Sequence, residues 1–380
     1  MELSLDPSLQ QVSDSLKQVI LQEIHQSGAM PFSRYMEHAL YHPEWGYYRN
    51  GSIKFGAEGD FVTAPELSPL FARCLARQCV QVFVDLDRPV IVEFGAGSGR
   101  LACDLLTALS AEGSLPDQYW IVELSAELRA RQRDAIERAV PKLLPRVQWL
   151  ERLPAQVNGV IIANEVLDAM PVEKFVIDGE PRRLCVQERD GALSWSEQVI
   201  HDARLLADIE RLAIPSGTRY ESELNRFLPG WVKSLSACLQ KGVILLIDYG
   251  FPRHEYYHPD RVTGTLMCHY RQRAFSEPLL YPGAYDITAH VDFTAVAEAA
   301  SAADLDVLGF SPQAAFLLSC GLQSMLDTQL AADRAYELAQ QVKYLTLPSE
   351  MGELFKVMAL GRGVEQELLG FELNDQLHRL

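Results

Sequence analysis

A glycine-rich loop has the residue types and the spacing needed to hold a ligand. Glu93 lies at the end of a short apolar run, and three glycines follow it at alternate positions, Gly95, Gly97 and Gly99. Glycine lets the backbone approach a ligand without a Cβ in the way. A strand, loop and helix in this order carry nucleotide-like ligands over the strand end. The loop therefore predicts a binding site in which Glu93 attracts a cationic group and Gly99 allows close packing of the helix.

The spacing of the glycines helps to choose the ligand. A dinucleotide fingerprint reads GxGxxG, but the position of its third glycine is occupied by Arg100. Glu123 ends the next apolar run, where a carboxylate can accept both hydroxyls of a ribose. The loop, Glu93 and Glu123 together favour S-adenosylmethionine as the cofactor. The rival interpretation is a structural turn beside a solvated acid.

Polar side chains also follow the fourth predicted strand, at Asn164, Glu165 and Asp168. Ligands of open parallel sheets lie outside such strand ends. We assign Asn164 to cofactor binding. Glu165 and Asp168, three apart across a predicted helix start, could converge to orient a guanidinium group and accept its proton. The alternative is that Asp168 caps a helix and Glu165 faces solvent.

Two further segments supply candidate site residues. Asp60, Thr63 and Glu66 are polar residues of a loop that could reach over the cofactor, and we assign Thr63 to cofactor binding. Turn and helix-cap chemistry explains these three residues equally well. His290 precedes a predicted helix and is a candidate catalytic residue for substrate contact or proton transfer. A purely structural hydrogen bond is an equal alternative for His290.

A segment with the pattern HExxH, from His254 to His258, suggests a zinc site at first sight. That chemistry needs a regular helix with both histidines on one face. Pro259 follows His258 directly, and a residue before proline is pushed away from helical geometry. We therefore expect no metal site in this segment.

These residues depend on apolar strands that alternate with helices, which predicts an α/β fold with a parallel sheet covered on both faces. Seven strands are predicted, over 89–94, 118–122, 147–149, 159–163, 242–248, 305–310 and 354–360. Helices are predicted over 8–26 and 32–40. An antiparallel meander is expected over 174–196, a helix over 221–240 and an irregular insertion over 251–285.

The composition narrows the class of protein. The net charge of −17 disfavours nucleic acid and acidic membrane surfaces as partners. The seven scattered cysteines indicate neither a disulfide framework nor a zinc site. With no apolar signal segment and no run of membrane-spanning length, we expect a cytoplasmic location and no membrane insertion. The oligomeric state stays open, with a homodimer as one candidate.

The chain resembles the MidA-like family of methyltransferases, relatives of the mitochondrial complex I assembly methyltransferase. Matching blocks cover nearly the whole chain and lie at 31–37, 59–71, 93–99, 164–171, 247–250, 286–293 and 351–357. The resemblance implies a class I methyltransferase (Rossmann-like) fold. That fold has a mixed seven-stranded sheet, an N-terminal helical extension and α/β insertions. Residues 1–85 would contribute to the active site, and residues 86–380 would form the S-adenosylmethionine-binding domain, with insertions at about 172–240 and 251–290.

The resemblance also implies an activity. Members in mitochondria methylate arginine in a subunit of the respiratory complex, so a protein arginine N-methyltransferase acting on a respiratory-complex or other protein is expected here. Two rivals remain open: a small-molecule methyltransferase, and an assembly factor that binds the cofactor without turnover. The 251–290 segment would serve as lid and substrate platform.

Overall fold

The chain forms two compact units in a computed structural model that describes residues 5–49, 63–212, 214, 217–326 and 332–380. The glycine-loop unit consists of the described residues of Val62–Leu167, Pro229–Pro252 and Asp292–Leu380. The insertion unit consists of the described residues of Met1–Phe61, Asp168–Leu228 and Arg253–Val291. The expected functional boundary at residue 85 stays a prediction, because compactness does not define which residues serve an active site.

The glycine-loop unit contains a large sheet. Its main strands are β1 (Val90–Phe94), β2 (Gln118–Val122), β3 (Val147–Leu150), β4 (Val157–Asn164), β5 (Leu239–Phe251), β6 (Asp306–Pro312) and β7 (Phe355–Arg362). Along the sheet these strands follow the order β6-β7-β5-β4-β1-β2-β3. Neighbouring strands from β5 to β3 are parallel, whereas β7 is antiparallel to both β5 and β6. The predicted mixed sheet is confirmed, and the seven predicted strands are among its eight described strands.

Burial on both faces explains why these strands read as continuous apolar runs. Every residue of β1 is buried, and so is the central run of β5 from Val243 to Asp248. Such runs are typical of parallel sheets covered by helices on both sides. The strand order reverses at β1, which has β2 on one side and β4 on the other. Ligands of open α/β sheets lie at this reversal, beyond the carboxyl ends of the strands.

Helices cover the sheet and carry the rest of the core of this unit. Their bounds are Ala64–Leu67, Pro69–Phe83, Arg100–Ala111, Ala126–Ala139, Leu228–Cys238, Phe293–Ala302, Gln313–Ser319, Ala332–Thr346 and Met351–Leu354, with short 3-10 turns at Leu144–Arg146, Leu322–Met325, Leu369–Phe371 and Leu377–Arg379. Ser125 caps Ala126–Ala139 by accepting the Leu128 N–H at 3.3 Å. Phe71, Leu105 and Ile162 are among the fully buried residues of one contiguous apolar core.

The insertion unit has its own sheets and its own core. Its helices are Pro7–Ser27, Phe32–Tyr41, Ala203–Glu210 and Arg253–Tyr256, and its strands are Met30–Pro31, Glu173–Asp178, Glu180–Arg189, Ala192–Val199, Tyr220–Leu224, Met267–Tyr270, Arg273–Phe275 and Asp286–Thr288, followed by Val291–Asp292 at its end. The predicted meander is confirmed, because the three strands from Glu173 to Val199 pair antiparallel. Phe32, Tyr35 and Tyr285 are fully buried in the core of this unit.

Two predictions in this region are wrong. The helix expected over 221–240 is confined to Leu228–Cys238, because Tyr220–Leu224 pairs as a strand with Glu173–Asp178. Asn225 then starts the helix by accepting the N–H of Leu228 at 3.0 Å. The segment expected to be irregular over 251–285 contains strands that pair antiparallel with Asp286–Thr288 and with each other.

All seven cysteines are buried and free, so they contribute to the packed interior. Among the described residues, no helix combines the length and apolar character needed to cross a bilayer.

Candidate functional site

The predicted site residues emerge at one edge of the large sheet because the backbone ladder continues one residue beyond each strand. Each of the three residues that follow β1, β2 and β4 donates its N–H to a carbonyl of the neighbouring strand. The bonds are Gly95 to Val122 at 3.1 Å, Glu123 to Leu150 at 3.1 Å and Glu165 to Ile247 at 2.8 Å. Parallel strands end at the same edge. The glycine loop, Glu123 and Glu165 are therefore brought to the same side of the sheet.

The glycine loop needs glycine for its backbone conformation. The φ angles of Gly95, Gly97 and Gly99 are 58°, 52° and 85°, in the left-handed region that other residues rarely adopt. Among the described residues, a Cβ on Gly95 would meet Val166 Cγ2 at 3.8 Å, an ordinary van der Waals contact, so the need for glycine there comes from the backbone conformation. A Cβ on Gly99 would lie 3.2 Å from Gln132 Cα, so Gly99 lets the loop approach the helix Ala126–Ala139 closely.

Glu93 is a buried carboxylate at the carboxyl end of β1, with 3% of its surface exposed. Tyr119 donates its hydroxyl to Glu93 Oε2 at 2.6 Å. Burial raises the pKa of Glu93 to about 7, the hydrogen bond from Tyr119 opposes this rise, and the charge of Glu123 adds to it. The ionised form of a buried acid whose pKa lies near 7 is stabilised when a cation binds beside it.

Glu123 is held in a fixed orientation by two protein hydrogen bonds. Its Oε1 accepts the N–H of Ser125 at 2.9 Å, and its Oε2 accepts Nε2 of Gln132 at 3.1 Å. The same Gln132 nitrogen also donates to the carbonyl of Gly97 at 3.1 Å. Glu123 is 8% exposed and lies one residue beyond the end of β2. The carboxylate is thus fixed at the strand end and tied to the glycine loop.

The segment containing Thr63 also reaches the glycine loop. Thr63 is buried and is the N-cap of Ala64–Leu67, with its carbonyl accepting the N–H groups of Glu66 and Leu67. Ser98 of the loop donates its hydroxyl to the Glu66 carboxylate. The structure thus connects the segment around Thr63 to the loop, through Glu66. Asp60 lies outside the described residues.

Asn164 presents a buried acceptor at the end of β4. Its Nδ2 donates to Glu165 Oε1 at 3.1 Å, so its Oδ1 must face away from that carboxylate. This Oδ1 is inaccessible to solvent and has no hydrogen-bond partner among the described residues. Buried amide oxygens are normally paired, so this atom marks a position where a ligand can donate a hydrogen bond.

Glu165 adopts a left-handed backbone conformation with a φ of 52°, which is unusual for a residue with a side chain. The helix start predicted here is wrong, because the chain makes a bend and a turn after β4. Asp248 of β5 is the reason. Its Oδ2 accepts the N–H groups of Val166 and Leu167 at 3.2 and 2.9 Å, and so holds the turn. Backbone strain of this kind is found preferentially at functional sites.

Asp168 and His290 belong to the insertion unit. The carbonyl of Asp168 accepts the N–H of Ala289 at 3.0 Å, and the N–H of His290 donates to Thr265 Oγ1 at 3.1 Å. Asp168 is 6% exposed and His290 is partly buried. Within this unit, the segment of Asp168 lies next to the segment of His290, and their catalytic assignment stays a prediction.

The HExxH segment does not form one helix. The helix Arg253–Tyr256 ends before His258, so the prediction that no regular helix carries both histidines is confirmed. His258 Nδ1 instead lies 3.7 Å from Asp260 Oδ2.

The residues at the sheet edge fit an S-adenosylmethionine molecule. The buried carboxylate of Glu93 suits a cationic amino acid, the fixed carboxylate of Glu123 suits a ribose diol, and the unpaired Asn164 oxygen suits a donor.

Residues 74–311 match the family described as S-adenosyl-L-methionine-dependent methyltransferase. The match spans well over half of the chain and includes the whole glycine loop. The chain belongs to this family. This methyltransferase therefore uses the cofactor that the loop and its two acidic partners predict.

Solved structures confirm the class I methyltransferase fold. A protein from Burkholderia thailandensis, crystallised with S-adenosyl-homocysteine, is 43% identical, with a TM-score of 0.95 over 100% of both chains. A second crystal structure from Burkholderia thailandensis is 42% identical, with a TM-score of 0.93 over 100% of both chains.

Curated relatives of the methyltransferase confirm the family resemblance seen in the sequence blocks. The Drosophila melanogaster protein named protein arginine methyltransferase NDUFAF7 homolog, mitochondrial, is 29% identical over 92% of this chain and 85% of its own. The Xenopus laevis protein of the same name, without "homolog", is 27% identical over 93% of this chain and 86% of its own.

The expected cytoplasmic location is wrong by the same comparison. These relatives are named mitochondrial. Composition does not distinguish one aqueous compartment from another, so the expectation had no physical basis strong enough to stand against the names of the relatives.

Two residues of the methyltransferase site were missed from the sequence. Gln132 lies on a largely polar helix, and no periodicity separates it from its exposed neighbours. Asp248 did carry a signal, because it is an acid near the carboxyl end of an apolar strand, as Glu93 is. Asp248 acquires its role because β5 lies next to β4, and only the strand order of the sheet shows that these two strands are neighbours.

Proposed function

We propose that this methyltransferase is a protein arginine N-methyltransferase. The observation that carries the proposal is the match, over 92% of the chain, to a relative named protein arginine methyltransferase. The acidic character of the chain, with a net charge of −17, supports a basic protein substrate. On the family resemblance, a respiratory-complex subunit is the first substrate to test.

In this proposal the glycine-loop unit holds the cofactor. Glu93 binds the cationic amino-acid part and Glu123 binds the ribose hydroxyls. Gly95, Gly97 and Gly99 leave space for the ligand along the backbone. Asn164 contributes its unpaired amide oxygen as an acceptor, and Thr63 contributes from the segment that Glu66 ties to the loop.

The bound cofactor supplies an electrophilic methyl group. A free guanidinium is protonated at neutral pH, so its nitrogen must lose a proton to become methylated. We assign the orientation of the guanidinium and the acceptance of this proton to Glu165 and Asp168, and a role in proton transfer or substrate contact to His290. The left-handed backbone of Glu165 supports this assignment, because the turn fixes the backbone position from which the Glu165 side chain extends.

Transfer of a labelled methyl group from S-adenosylmethionine into a cell lysate tests the proposal. We expect label in a protein band, and the proposal is contradicted by label in small molecules. Binding of the cofactor without any transfer would instead support an assembly factor. Gly97→Val is the matched negative control, because a β-branched residue at a φ of 52° distorts the loop. Sedimentation of the same preparation decides whether the enzyme is a homodimer.

A further inference from the structure

Gln132 is a fully buried amide with 0% exposure on the helix Ala126–Ala139. It makes three hydrogen bonds, two through Nε2 and one through Oε1. Nε2 donates to Gly97 O and Glu123 Oε2, both at 3.1 Å, and Oε1 accepts Nε1 of Trp149 at 2.9 Å. Burying a primary amide is costly unless its polar atoms are paired. Gln132 therefore connects three separate elements through bonds that its burial makes obligatory.

The orientation of this amide is determined by its partners. The indole N–H of Trp149 can only donate, so it must face the amide oxygen. The carbonyl of Gly97 and the carboxylate of Glu123 can only accept, so they must face the amide nitrogen. A flipped amide would place like groups against one another at all three contacts.

The hydrogen bonds to Glu123 use only some of the acceptor positions on its two carboxylate oxygens. A carboxylate offers about two acceptor positions on each oxygen. The Ser125 N–H uses one position on Oε1, and Gln132 uses one on Oε2. Counting the described residues alone, one position therefore remains on each oxygen. Two adjacent hydroxyl donors, such as the 2′ and 3′ hydroxyls of a ribose, match these two remaining acceptor positions.

We infer that Gln132 is a positioning residue that locks Glu123 and the Gly97 carbonyl, and thereby makes the site selective for a nucleoside with both ribose hydroxyls. The inference rests on the proposed placement of the ribose at Glu123. It goes further in assigning the selectivity to a residue that contacts Glu123 and the loop.

The test compares two probes by calorimetry, S-adenosylhomocysteine and its 2′-deoxy analogue. A hydrogen bond to a charged group makes the wild type prefer the first probe by about 10-fold or more. Gln132→Met keeps the shape of the side chain and removes its polar atoms. We expect this variant to bind S-adenosylhomocysteine about 10-fold more weakly and to lose most of the preference between the probes.

Gln78→Met is the matched control for loss of a buried amide. Gln78 is also 0% exposed, but its amide bonds to Gln81 and Gly370 at 2.8 Å rather than to the loop. It should lower the thermal midpoint and leave the preference between the probes intact. If Gln132→Met is too unstable to measure, Trp149→Phe removes the bond to Oε1 alone and should reduce the preference in the same direction.

Glu123→Gln separates the failure of the inference from the failure of the proposed ribose placement. An unchanged preference in Glu123→Gln would overturn the placement itself. A preference lost in Glu123→Gln but unchanged in both Gln132→Met and Trp149→Phe would overturn the inference alone. Loss in all three variants, with the preference retained in Gln78→Met, supports the positioning role.

Discussion

At the scale of single residues, the site combines groups whose burial or backbone conformation lowers the stability of the ligand-free protein. Glu93 is buried with a pKa of about 7, the Asn164 amide oxygen lacks a partner among the described residues, and Glu165 has a left-handed backbone. In the proposed function, each of these costs is reduced or put to use when a cationic ligand and a substrate bind.

Cofactor affinity should rise with pH through about 7, since binding of a cation favours the ionised form of Glu93. Titration calorimetry between about pH 6 and pH 8 measures this slope, and Glu93→Gln should weaken binding by about 10-fold and flatten it. The exposed Glu112→Gln is the control and should keep the slope. An identical slope in Glu93→Gln would exclude Glu93 from the cation site.

The stability of the cofactor-free protein should depend on the same carboxyl with a defined sign. Its pKa is raised from 4.5 to about 7 in the folded chain, so the unfolded chain ionises first as the pH rises. The unfolding free energy therefore falls between these values, and the loss is complete above pH 7. Glu93→Gln should remove this fall, which amounts to at most about 3 kcal/mol. Urea unfolding at pH 5 and pH 8 measures it, and an equal fall in the variant would contradict the buried ionisation.

Glu165→Gln should retain cofactor binding and lower methyl transfer by about 100-fold or more, because proton acceptance by a side chain contributes on that order. The amide oxygen of glutamine can still accept from Asn164, so the turn is expected to hold. Single-turnover transfer and calorimetry are measured side by side. Glu137→Gln, on an exposed position of a nearby helix, is the control. Unchanged transfer in Glu165→Gln would remove the residue from the catalytic set.

At the scale of elements, the ends of β1, β2 and β4 position the site, and β5 holds the turn after β4. Asp248 is fully buried and accepts a third N–H, that of Tyr249, at 2.9 Å. The turn therefore depends on a residue from a strand more than seventy positions away in sequence.

Asp248→Asn should destabilise the protein by about 3 kcal/mol, since an amide nitrogen would face backbone N–H groups that the carboxylate now satisfies. Transfer should fall as well, because the turn carries Glu165. Asp202→Asn is the control. Asp202 accepts two N–H groups at a helix start, where asparagine caps equally well. Equal unfolding free energies for the two variants would contradict the role of Asp248.

The elements that could be predicted were those whose burial leaves a mark in the sequence. The seven strands β1 to β7 were predicted because each is mainly apolar, and most of them are largely buried. The strands Met267–Tyr270 and Arg273–Phe275 were missed, since they are short and gain their structure from pairing with each other. Likewise, Tyr220–Leu224 is a strand only because Glu173–Asp178 lies beside it.

The candidate site residues also differ in whether local sequence or distant contacts reveal their role. Glu93 and Glu123 were predicted as ligand-binding residues because an acid at a strand end of this type of sheet lies where ligands bind, and their role stays a prediction. Gln132 could not be predicted, because its role arises when the loop folds back onto a helix thirty-five positions away. The left-handed turn at Glu165 was also hidden, since nothing local to it reveals the Asp248 carboxylate.

At the scale of the whole molecule, a net charge of −17 creates a field that attracts basic chains. Such a field affects the encounter with the substrate more than the chemistry that follows. The proposed substrate class and the charge of the enzyme are therefore physically consistent.

Salt should lower kcat/KM for a basic arginine-containing peptide several-fold between about 50 and 300 mM, because the Debye length shortens. The value of kcat should change little. A peptide whose flanking lysines are replaced by glutamine is the control, and its kcat/KM should be nearly independent of salt. A rise of kcat/KM with salt for the basic peptide would contradict electrostatic attraction of the substrate.

The chemical identity of the methylated side chain tests the central claim most directly. Protein labelled by the wild-type enzyme with isotopic S-adenosylmethionine is hydrolysed, and the amino acids are separated by mass. We predict the label in N-methylated arginine, and its loss when Glu165→Gln replaces the wild type. Label in methylated lysine, histidine or a small molecule, at the same rate in both enzymes, would contradict the account.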